Sequence, residues 1–370
     1  MKKIALVLII LAFFLAGCVQ EQPQEQGVIK IGVIAPLTGP AAEYGVATQK
    51  ALLLAEKQVN DAGGINGKRI ELFFEDDECE PAKAITAFNK LAKVDGIRII
   101  AGTVCSSVTL ALAPLAEENS VLLISSGSSN PRISCAGDYI FRTWPSDALQ
   151  GKFLAQFVEE NFQGKSVAII YMNNDYGAGL KGAFEENFSG KIVSAESFEQ
   201  GATDFRAQLA KTAEAKPDII FLASYAKEIG RILKQSEELG INAQFIGGEG
   251  TKDQSVLDAA GNAAEGIIGT IPHAENSAAR EKFISDFNKE YGTEPGITAD
   301  AAYDIIGLLK VAIGKCGSAD STECLKNALY AIKNYDGASG KISFDGKGDV
   351  QKTYDLITVK QGQFVPYESG

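Results

Sequence analysis

The stretch that decides the fold is GTVCSSVTLALAPLAEENSVLLISSGSSNP, residues 102–131. It contains the end of one apolar strand, a helix and a second apolar strand, and each strand leads into small hydroxyl residues. Ser106 and Ser107 stand where the helix begins, so we expect them at its N-cap. A strand end that feeds a helix N-terminus presents free backbone N–H groups and the positive end of the helix dipole. Such a place suits a small anion such as a carboxylate.

The second strand of this stretch is followed by four serines around Gly127, which are Ser125, Ser126, Ser128 and Ser129. Parallel strands end at one edge of their sheet, so hydroxyls from neighbouring strands can converge on one anion. We therefore expect the chain to build a cleft around this place. The alternative is that serine and glycine only cap helices and form turns here.

The N-terminal residues have the pattern of an export signal and a tether. Two lysines precede an apolar run at residues 4–16, which is too short to span a bilayer comfortably and fits a secretory signal. The Leu-Ala-Gly-Cys that ends at Cys18 resembles the lipobox of prokaryotic lipoproteins, which implies cleavage after residues 1–17 and a lipid on the Cys18 sulfur. An uncleaved signal anchor is the alternative. Residues 18–27 are polar and suit a tether. We expect the folded part outside the cytoplasmic membrane, lipid-anchored to it.

Composition and charge exclude several classes of function. About 340 residues follow the signal and tether, which favours two domains. The formal net charge is −12 and no basic patch is visible, which argues against nucleic acid or an anionic lipid surface as a partner. His273 is the only histidine of the sequence, which argues against a zinc enzyme and a histidine-based triad. We expect no enzymatic activity, no cofactor and no metal.

The cysteine content fits an oxidising compartment. Apart from Cys18 the sequence has Cys79, Cys105, Cys135, Cys316 and Cys324, an odd number. Cys316 and Cys324 bracket a short loop between two helical stretches, so we expect a local bridge. Cys79 and Cys105 lie at the ends of successive βα units and can meet at one sheet edge, which leaves Cys135 over. A Cys105–Cys135 bridge is the alternative.

Strands alternate with long helices in two separate series, which predicts two parallel sheets covered on both faces. The first series runs from residue 28 to the stretch quoted above, and YIFRTWPSD (139–147) interrupts it before the second series starts. A second break, IPHAENS (271–277), precedes three helical stretches at 278–291, 298–314 and 321–334. Since no strand separates these helices, we expect them to pack on the first lobe.

The breaks divide the chain into two lobes with three connections. Lobe 1 is predicted to comprise residues 28–143 and 275–341, and lobe 2 residues 146–271 and 346–366. The crossings lie near 142–147, 271–276 and 341–347. Short connections absorb a rotation that packed sheets cannot, so three of them predict a hinge.

An ordered set of segments resembles a known family over residues 28–365. The segments include IKIGVIAPLTGPAAEYG, NDAGGINGK, FFEDDECEPAKAITAFNKL, CSSVTLALAPLAEE, ISSGSSNP, YIFRTWPSD, IIYMNNDYGAG, FIGGEG and AAYD. Together they resemble the substrate-binding proteins of branched-chain amino acid ABC transporters. The resemblance implies an α/β type I periplasmic-binding-protein fold, with two doubly wound parallel-sheet lobes joined by a three-strand hinge. It further implies a monomer that delivers an amino acid to a membrane permease.

The resemblance also implies which residues hold the ligand. Ser106, Ser128 and Ser129 match the carboxylate clamp of the family, and Glu249 in GGEG matches the acid that meets the α-ammonium. The physics agrees, because a zwitterion removed from water needs a partner at each charged end. Hydroxyl and N–H groups suit its carboxylate, and a carboxylate suits its ammonium.

Three tyrosines match the aromatic walls of the family: Tyr176 in NDYG, Tyr225 in LASYAKE and Tyr44 in AAEYG. The sequence departs from the family before AAYD, where some members place an aromatic residue and this chain has Thr298 or a neighbour. A pocket there is more open or more polar, which leaves strict selectivity for leucine, isoleucine or valine in doubt.

Other functions are less well supported by the sequence. A G-x-G-x-x-G pattern at residues 177–182 resembles a dinucleotide fingerprint, but it lies in an extracytoplasmic lobe, where NAD is scarce. A hydrolase is disfavoured because the sequence lacks G-x-S-x-G. A ligand-sensing receptor and an amide- or urea-binding protein of the same fold are the open alternatives.

Overall fold

The first series of strands forms a five-stranded parallel sheet in the computed structural model, which describes residues 27–368. Its strands are β1 (Ile29–Ala35), β2 (Ile70–Asp76), β3 (Ile99–Ala101), β4 (Leu122–Ser125) and β5 (Ile140–Arg142). They lie in the order β2-β1-β3-β4-β5. The three inner strands are buried along almost their whole length, as expected of a parallel sheet with helices on both faces. The predicted signal, tether and Cys18 lie outside the described residues.

Three helices connect these strands: α1 (Ala42–Asp61), α2 (Pro81–Phe88, continued by a π-helical turn at Asn89–Val94) and α3 (Ser106–Asn119). Helix α1 begins about five residues before the predicted start near Ala47. The reason is Gly45, where a Cβ atom would lie 1.9 Å from the carbonyl oxygen of Pro36. Only glycine allows the helix to start this close to the end of β1. From the sequence alone, the residues before Ala47 were expected to form a loop.

The expected N-cap of α3 is wrong by one position. Cys105 occupies the N-cap, no side chain caps the helix, and Ser106 is its first residue. The Ser106 hydroxyl instead accepts hydrogen bonds from a neighbouring loop. The helix N-terminus is therefore left open toward the space between the lobes.

The second series forms its own sheet. The strands are β6 (Ser166–Met172), β7 (Lys191–Phe198), β8 (Ile219–Ala223), β9 (Gln244–Gly247) and β10 (Ile268–Pro272). The helices are α4 (Asp147–Asn161), α5 (Asp175–Asn187), α6 (Arg206–Glu214), α7 (Ala226–Glu238) and α8 (Gln254–Ala260). Neighbouring strands of this series pair in parallel in the order β10-β9-β8-β6-β7. Helix α8 was not foreseen.

The chain then returns to the first lobe through α9 (Ala278–Tyr291), α10 (Ala299–Cys316) and α11 (Thr322–Tyr330). As predicted, these helices pack on the first lobe: Leu309 belongs to the same apolar cluster as Leu52 of α1, and the Tyr303 hydroxyl donates to Gln58. Helix α11 ends four residues before the predicted end. A short hairpin of β11 (Tyr335–Gly337) and β12 (Gly340–Ile342) follows it.

Two last strands, β13 (Tyr354–Lys360) and β14 (Gln363–Pro366), complete the second sheet. The predicted addition of TYDLITVK to this lobe is confirmed, because β13 pairs with β10, in the antiparallel direction. Strand β14 was not predicted. The chain therefore passes between the lobes three times, after β5, β10 and β12. Among the helices of residues 27–368, none has both the length and the apolar character needed to cross a membrane.

Two disulfides are present, and they join the pairs that the sequence favoured. Cys79 and Cys105 have Cα atoms 5.6 Å apart and link the loop before α2 to the start of α3. Cys316 and Cys324 have Cα atoms 6.0 Å apart and link α10 to α11. Cys135 is exposed and unpaired, so the alternative Cys105–Cys135 bridge is wrong.

Candidate functional site

A small cavity of about 30 Å³ lies between the two lobes. Residues from both lobes line it: Tyr44, Val104, Ser106, Gly127, Trp144, Tyr176, Tyr225, Glu249, Gly250, Ile297 and Thr298. Ser106, Tyr225 and Glu249 each follow the carboxyl end of a parallel strand, which is where open α/β sheets bind ligands. Five of the seven residues predicted for the site are in this wall, and Ser128 and Ser129 are not.

Ser106 follows β3, and its side chain bonds to the loop that follows β4. Its Oγ accepts hydrogen bonds from the N–H groups of Ser129 and Asn130, at 3.2 and 3.1 Å. The hydroxyl hydrogen remains free to donate toward the cavity. Because Ser106 is the first residue of α3, the backbone N–H groups of the first turn accompany it.

The other two predicted serines are engaged elsewhere. The Ser128 hydroxyl donates to the Val104 carbonyl at 3.0 Å and lies 2.7 Å from the Thr109 hydroxyl, inside the lobe. The Ser129 hydroxyl donates to the Asp147 carboxylate at 3.0 Å. The two side chains shape the loop beside the cavity, and Ser106 is the predicted serine whose hydroxyl lines it.

The three predicted tyrosines form one aromatic wall. Tyr176 and Tyr225 stack with ring centroids 5.2 Å apart and planes 12° apart, and Tyr44 packs against Tyr225 at 5.5 Å. The Tyr44 hydroxyl accepts a hydrogen bond from the Ala226 N–H at 3.0 Å, which joins the two lobes. Burial is the main cause that raises the pKa of all three phenols, so they remain neutral donors.

Glu249 is also in the cavity wall, in a turn that follows β9. It is 8% exposed, and its Oε2 atom has no hydrogen-bond partner among the described residues. Burial raises its pKa, while its own N–H group and the neighbouring Gln150 and Tyr176 side chains act to lower it. The residue before Glu249 is Gly248. A Cβ atom at this position would lie 3.0 Å from the Leu180 side chain and 3.1 Å from the Tyr176 hydroxyl, so there is little room for a larger residue.

Asp147 is a functional candidate that the sequence reasoning missed. It is fully buried at the start of α4, and its Oδ1 atom has no partner within the described part of the chain. Burial and the charge of Glu249 hold its pKa well above the ordinary value, although Ser129 and Arg142 oppose this. The sequence offers one signal for this role, because Asp147 ends the segment YIFRTWPSD that interrupts the first series of strands.

Arg142 fixes the loop that carries the serines. Its buried guanidinium donates to both carboxylate oxygens of Asp349, at 2.6 and 2.9 Å, and to the Asn130 carbonyl at 3.0 Å. Since Arg142 ends β5 and Asp349 follows β12, this ion pair joins the first and third passages between the lobes to the cavity edge.

Thr298 lies on the cavity wall in the place where some family members carry an aromatic residue. Its φ of +75° is unusual for a β-branched residue. The hydroxyl holds this conformation, because it donates to the Tyr44 carbonyl at 3.2 Å and lies 3.0 Å from the Thr48 hydroxyl. The threonine leaves space that a larger side chain would fill.

The arrangement defines a class of protein. Two doubly wound α/β lobes enclose a cavity whose wall contains the Ser106 hydroxyl, three tyrosines and the buried acid Glu249. Proteins built in this way capture a small dipolar molecule between their lobes.

Comparison with known proteins gives the family. The model of the periplasmic binding protein family matches residues 28–363. The leucine-, isoleucine-, valine-, threonine- and alanine-binding protein of Pseudomonas aeruginosa is 33% identical over 333 residues, 89% of this chain and 88% of that protein. The chain belongs to the periplasmic binding protein family.

Solved structures agree. A leucine-binding protein from Thermotoga maritima has a TM-score of 0.86 at 29% identity, covering 92% of this chain and 98% of that one. A branched-chain amino acid transporter substrate-binding protein from Streptococcus pneumoniae, in complex with isoleucine, has a TM-score of 0.85 at 31% identity, covering 91% and 98%. The type I fold is thereby confirmed, and the chain is an extracytoplasmic solute-binding receptor and not an enzyme.

Proposed function

We propose that this receptor binds a branched-chain or related aliphatic amino acid between its lobes and delivers it to an ABC permease. The observation that carries the proposal is the buried acid Glu249 in the cavity wall, with a second buried acid, Asp147, near enough for the charge of Glu249 to raise its pKa. Each has a carboxylate oxygen without a hydrogen-bond partner in the described chain. Because buried polar atoms in native proteins almost always have partners, this part of the cavity wall is suited to a ligand cation.

The α-carboxylate binds at the end of the cavity where α3 begins. It accepts a hydrogen bond from the Ser106 hydroxyl and others from the first N–H groups of α3. Hydrogen bonds to a charged group contribute roughly 1.5–3 kcal/mol each, and the helix N-terminus adds a favourable dipole. Ser128 and Ser129 contribute by shaping the loop around this end.

The α-ammonium binds at Glu249, whose Oε2 atom has no partner among residues 27–368 and accepts one of its N–H bonds. Asp147 adds a second negative charge near Glu249. Tyr176 lies in the same cavity wall as Glu249. Because burial raises the pKa of both acids, a ligand cation stabilises their ionised form, so the ligand contributes to the stability of the closed protein.

The aliphatic part of the ligand packs against Trp144, Ile297 and the three tyrosines. The lobes close through contacts beside this wall, namely the hydrogen bond from Ala226 to Tyr44 and the ion pair of Lys227 with Glu43 at 2.7 Å. The crossings near 142–147, 271–276 and 341–347 act as the hinge. They separate lobe 1 (28–143 and 275–341) from lobe 2 (146–271 and 346–366).

The lipidated Cys18 holds the receptor at the membrane surface, and the polar tether lets it reach the permease as a monomer. Mass spectrometry of the purified membrane form tests this, since a Cys18→Ala variant would lose the lipid and be released. Retention of the variant in the membrane fraction would contradict the anchor.

Ligand analogues test the proposed binding mode. A thermal-shift screen of the twenty amino acids and simple amides identifies the ligand, because a ligand at 100 times its Kd stabilises the fold by about 2.7 kcal/mol. Calorimetry then compares leucine with 4-methylpentanoate, which lacks the ammonium, and leucinamide, which lacks the carboxylate. We expect both analogues to bind at least tenfold more weakly. Equal binding of 4-methylpentanoate would contradict the role of the acids, and tight binding of simple amides alone would favour the amide-binding alternative.

A further inference from the structure

A second and larger cavity, of about 470 Å³, adjoins the one described above. Trp144, Glu249, Ile297 and Thr298 line both cavities. The second cavity extends between the lobes toward the passages after β10 and β12, where Pro272, Ala274 and Lys352 form part of its wall. We call it the side cavity. A ligand held at Glu249 therefore has a second space open beside it.

Thr298 marks the boundary between the two spaces. Its side chain is held back by the hydrogen bonds to Tyr44 and Thr48, in the left-handed backbone conformation described above. Backbone strain of this kind persists only where the surrounding structure enforces it, and it concentrates at functional sites. The two cavities therefore adjoin at Thr298, which lines both.

The side cavity carries a cluster of three cations: Lys252, Arg280 and Lys352. Arg280 is paired with Asp300 at 2.9 Å, and Lys352 donates to the Ser339 carbonyl at 2.6 Å. Lys252 is solvent-exposed at the cavity wall, and its side chain makes no hydrogen bond or ion pair within residues 27–368. Partial burial and the charge of Arg280 lower the pKa of Lys252, while the charges of Asp300 and Asp355 raise it.

The acids of the same wall are already engaged. Asp253 accepts hydrogen bonds from the N–H and hydroxyl groups of Ser255, and Glu294 accepts one from the Asn288 side chain. The wall therefore has an unpaired cation and no acid without a partner other than Glu249. An anionic group fits this surface, and a second cation does not.

We propose that the side cavity is a subsite for the side-chain carboxylate of an acidic α-amino acid. The inference rests on the proposed function, because the α-groups of such a ligand bind as described there. Its side chain passes Thr298 and ends at Lys252, where charge-assisted hydrogen bonds form. The receptor then accepts linear amino acids with a terminal carboxylate in addition to short aliphatic ones.

Calorimetry with linear ligands of similar length tests the subsite. The ligands are L-glutamate, L-2-aminoadipate, L-norleucine and L-lysine, with L-leucine as the reference. We expect the better of the two acids to bind at least tenfold more tightly than L-lysine and at least threefold more tightly than L-norleucine. Since the contact is ionic, we expect this preference to shrink at high salt.

Variants of Lys252 separate the subsite from the rest of the cavity. In Lys252→Gln we expect the acid to lose at least fivefold in affinity and L-leucine to stay within twofold. In Lys252→Glu we expect L-lysine to gain affinity over the acids. Lys191→Gln is the matched control, because Lys191 is exposed at the start of β7, and it should change neither ligand.

The outcomes distinguish this inference from the function on which it rests. Binding of L-leucine together with an acid affinity no higher than that of L-norleucine would overturn the subsite alone. An equal loss for L-leucine and the acid in Lys252→Gln would also overturn it. If no α-amino acid binds at all, the proposed function fails and the subsite fails with it.

Discussion

Glu249 and Asp147 are the residues on which the ligand chemistry depends. Both are buried, and burial raises the pKa of each. The charge of Glu249 also acts on Asp147, so the two carboxyl groups disfavour each other's ionised form. A ligand ammonium relieves this repulsion.

Glu249→Gln tests this directly. The amide is nearly isosteric with the acid but carries no charge, so we expect at least a tenfold loss of amino acid affinity, which corresponds to about 1.4 kcal/mol. Glu237→Gln, at an exposed site on α7, is the matched control and should bind as the unmodified protein does. Calorimetry measures affinity and circular dichroism verifies the fold. Unchanged affinity in Glu249→Gln would remove the acid from the site.

Asp77 gives a second prediction at the residue scale. It is fully buried, and burial raises its pKa to about 7, although its carboxylate accepts a hydrogen bond from the Cys79 N–H at 2.6 Å. The native state therefore binds a proton more tightly than the unfolded chain. Its stabilising contribution is present below about pH 4 and is lost as the pH rises to about 7.

Asp77→Asn should flatten this dependence. The amide oxygen can still accept the Cys79 N–H bond, but the side chain no longer ionises. We expect the free energy of unfolding of the unmodified protein to fall between pH 4.5 and 7.5, and the fall to be smaller in the variant. The difference is on the order of a few kcal/mol, at about 1.4 kcal/mol per unit of pKa difference. Urea unfolding at several pH values measures it, and identical curves would contradict the assignment.

At the scale of single elements, periodicity was a good guide to strands and helices and a poor guide to their ends. Helix α9 begins and ends where the pattern predicted, because Ser277 caps it and Gly292 ends it in the left-handed conformation. Helix α1 starts earlier than expected, because the packing of Gly45 on Pro36 is a tertiary contact that no local pattern reveals.

The site residues also divide into those that local sequence motifs predicted and those that depend on tertiary contacts. Ser106, Glu249 and the tyrosines were accessible to sequence reasoning, since each lies in a motif near a strand end. Asp147 was missed because it matters only through Glu249, which lies about one hundred positions further along the chain. Ser128 was placed at the carboxylate because the sequence does not reveal that its hydroxyl turns toward Thr109.

The two disulfides join different elements and should differ in their contribution to stability. Cys79–Cys105 closes a segment of 26 residues, and Cys316–Cys324 closes one of 8. Loop-closure entropy predicts about 3.5 and about 2.5 kcal/mol respectively. We expect Cys79→Ala with Cys105→Ala to lower the free energy of unfolding more than Cys316→Ala with Cys324→Ala, as measured by urea unfolding. The reverse order would indicate that local packing outweighs chain entropy.

At the scale of the whole molecule, two lobes and three passages make closure the central motion. The contacts between Tyr44 and Ala226 and between Glu43 and Lys227 form only when the lobes are close. The buried pair of Arg142 and Asp349 ties two of the passages together, so we expect it to hold the hinge if the lobes rotate.

Small-angle scattering tests the motion. We expect saturation with the amino acid identified by the screen to lower the radius of gyration, because closure brings the lobes together. The Glu249→Gln variant, measured at the same ligand concentration, should show a smaller change. A scattering profile of the unmodified protein that ligand leaves unchanged would argue against hinge closure.

The most direct measurement is a crystal structure of the protein grown with the amino acid that the screen identifies. We predict that the ligand lies between the lobes, with its carboxylate at Ser106 and the first turn of α3 and its ammonium at Glu249. A ligand found outside the space between the lobes, or a Glu249 side chain turned into solvent beside it, would contradict the account.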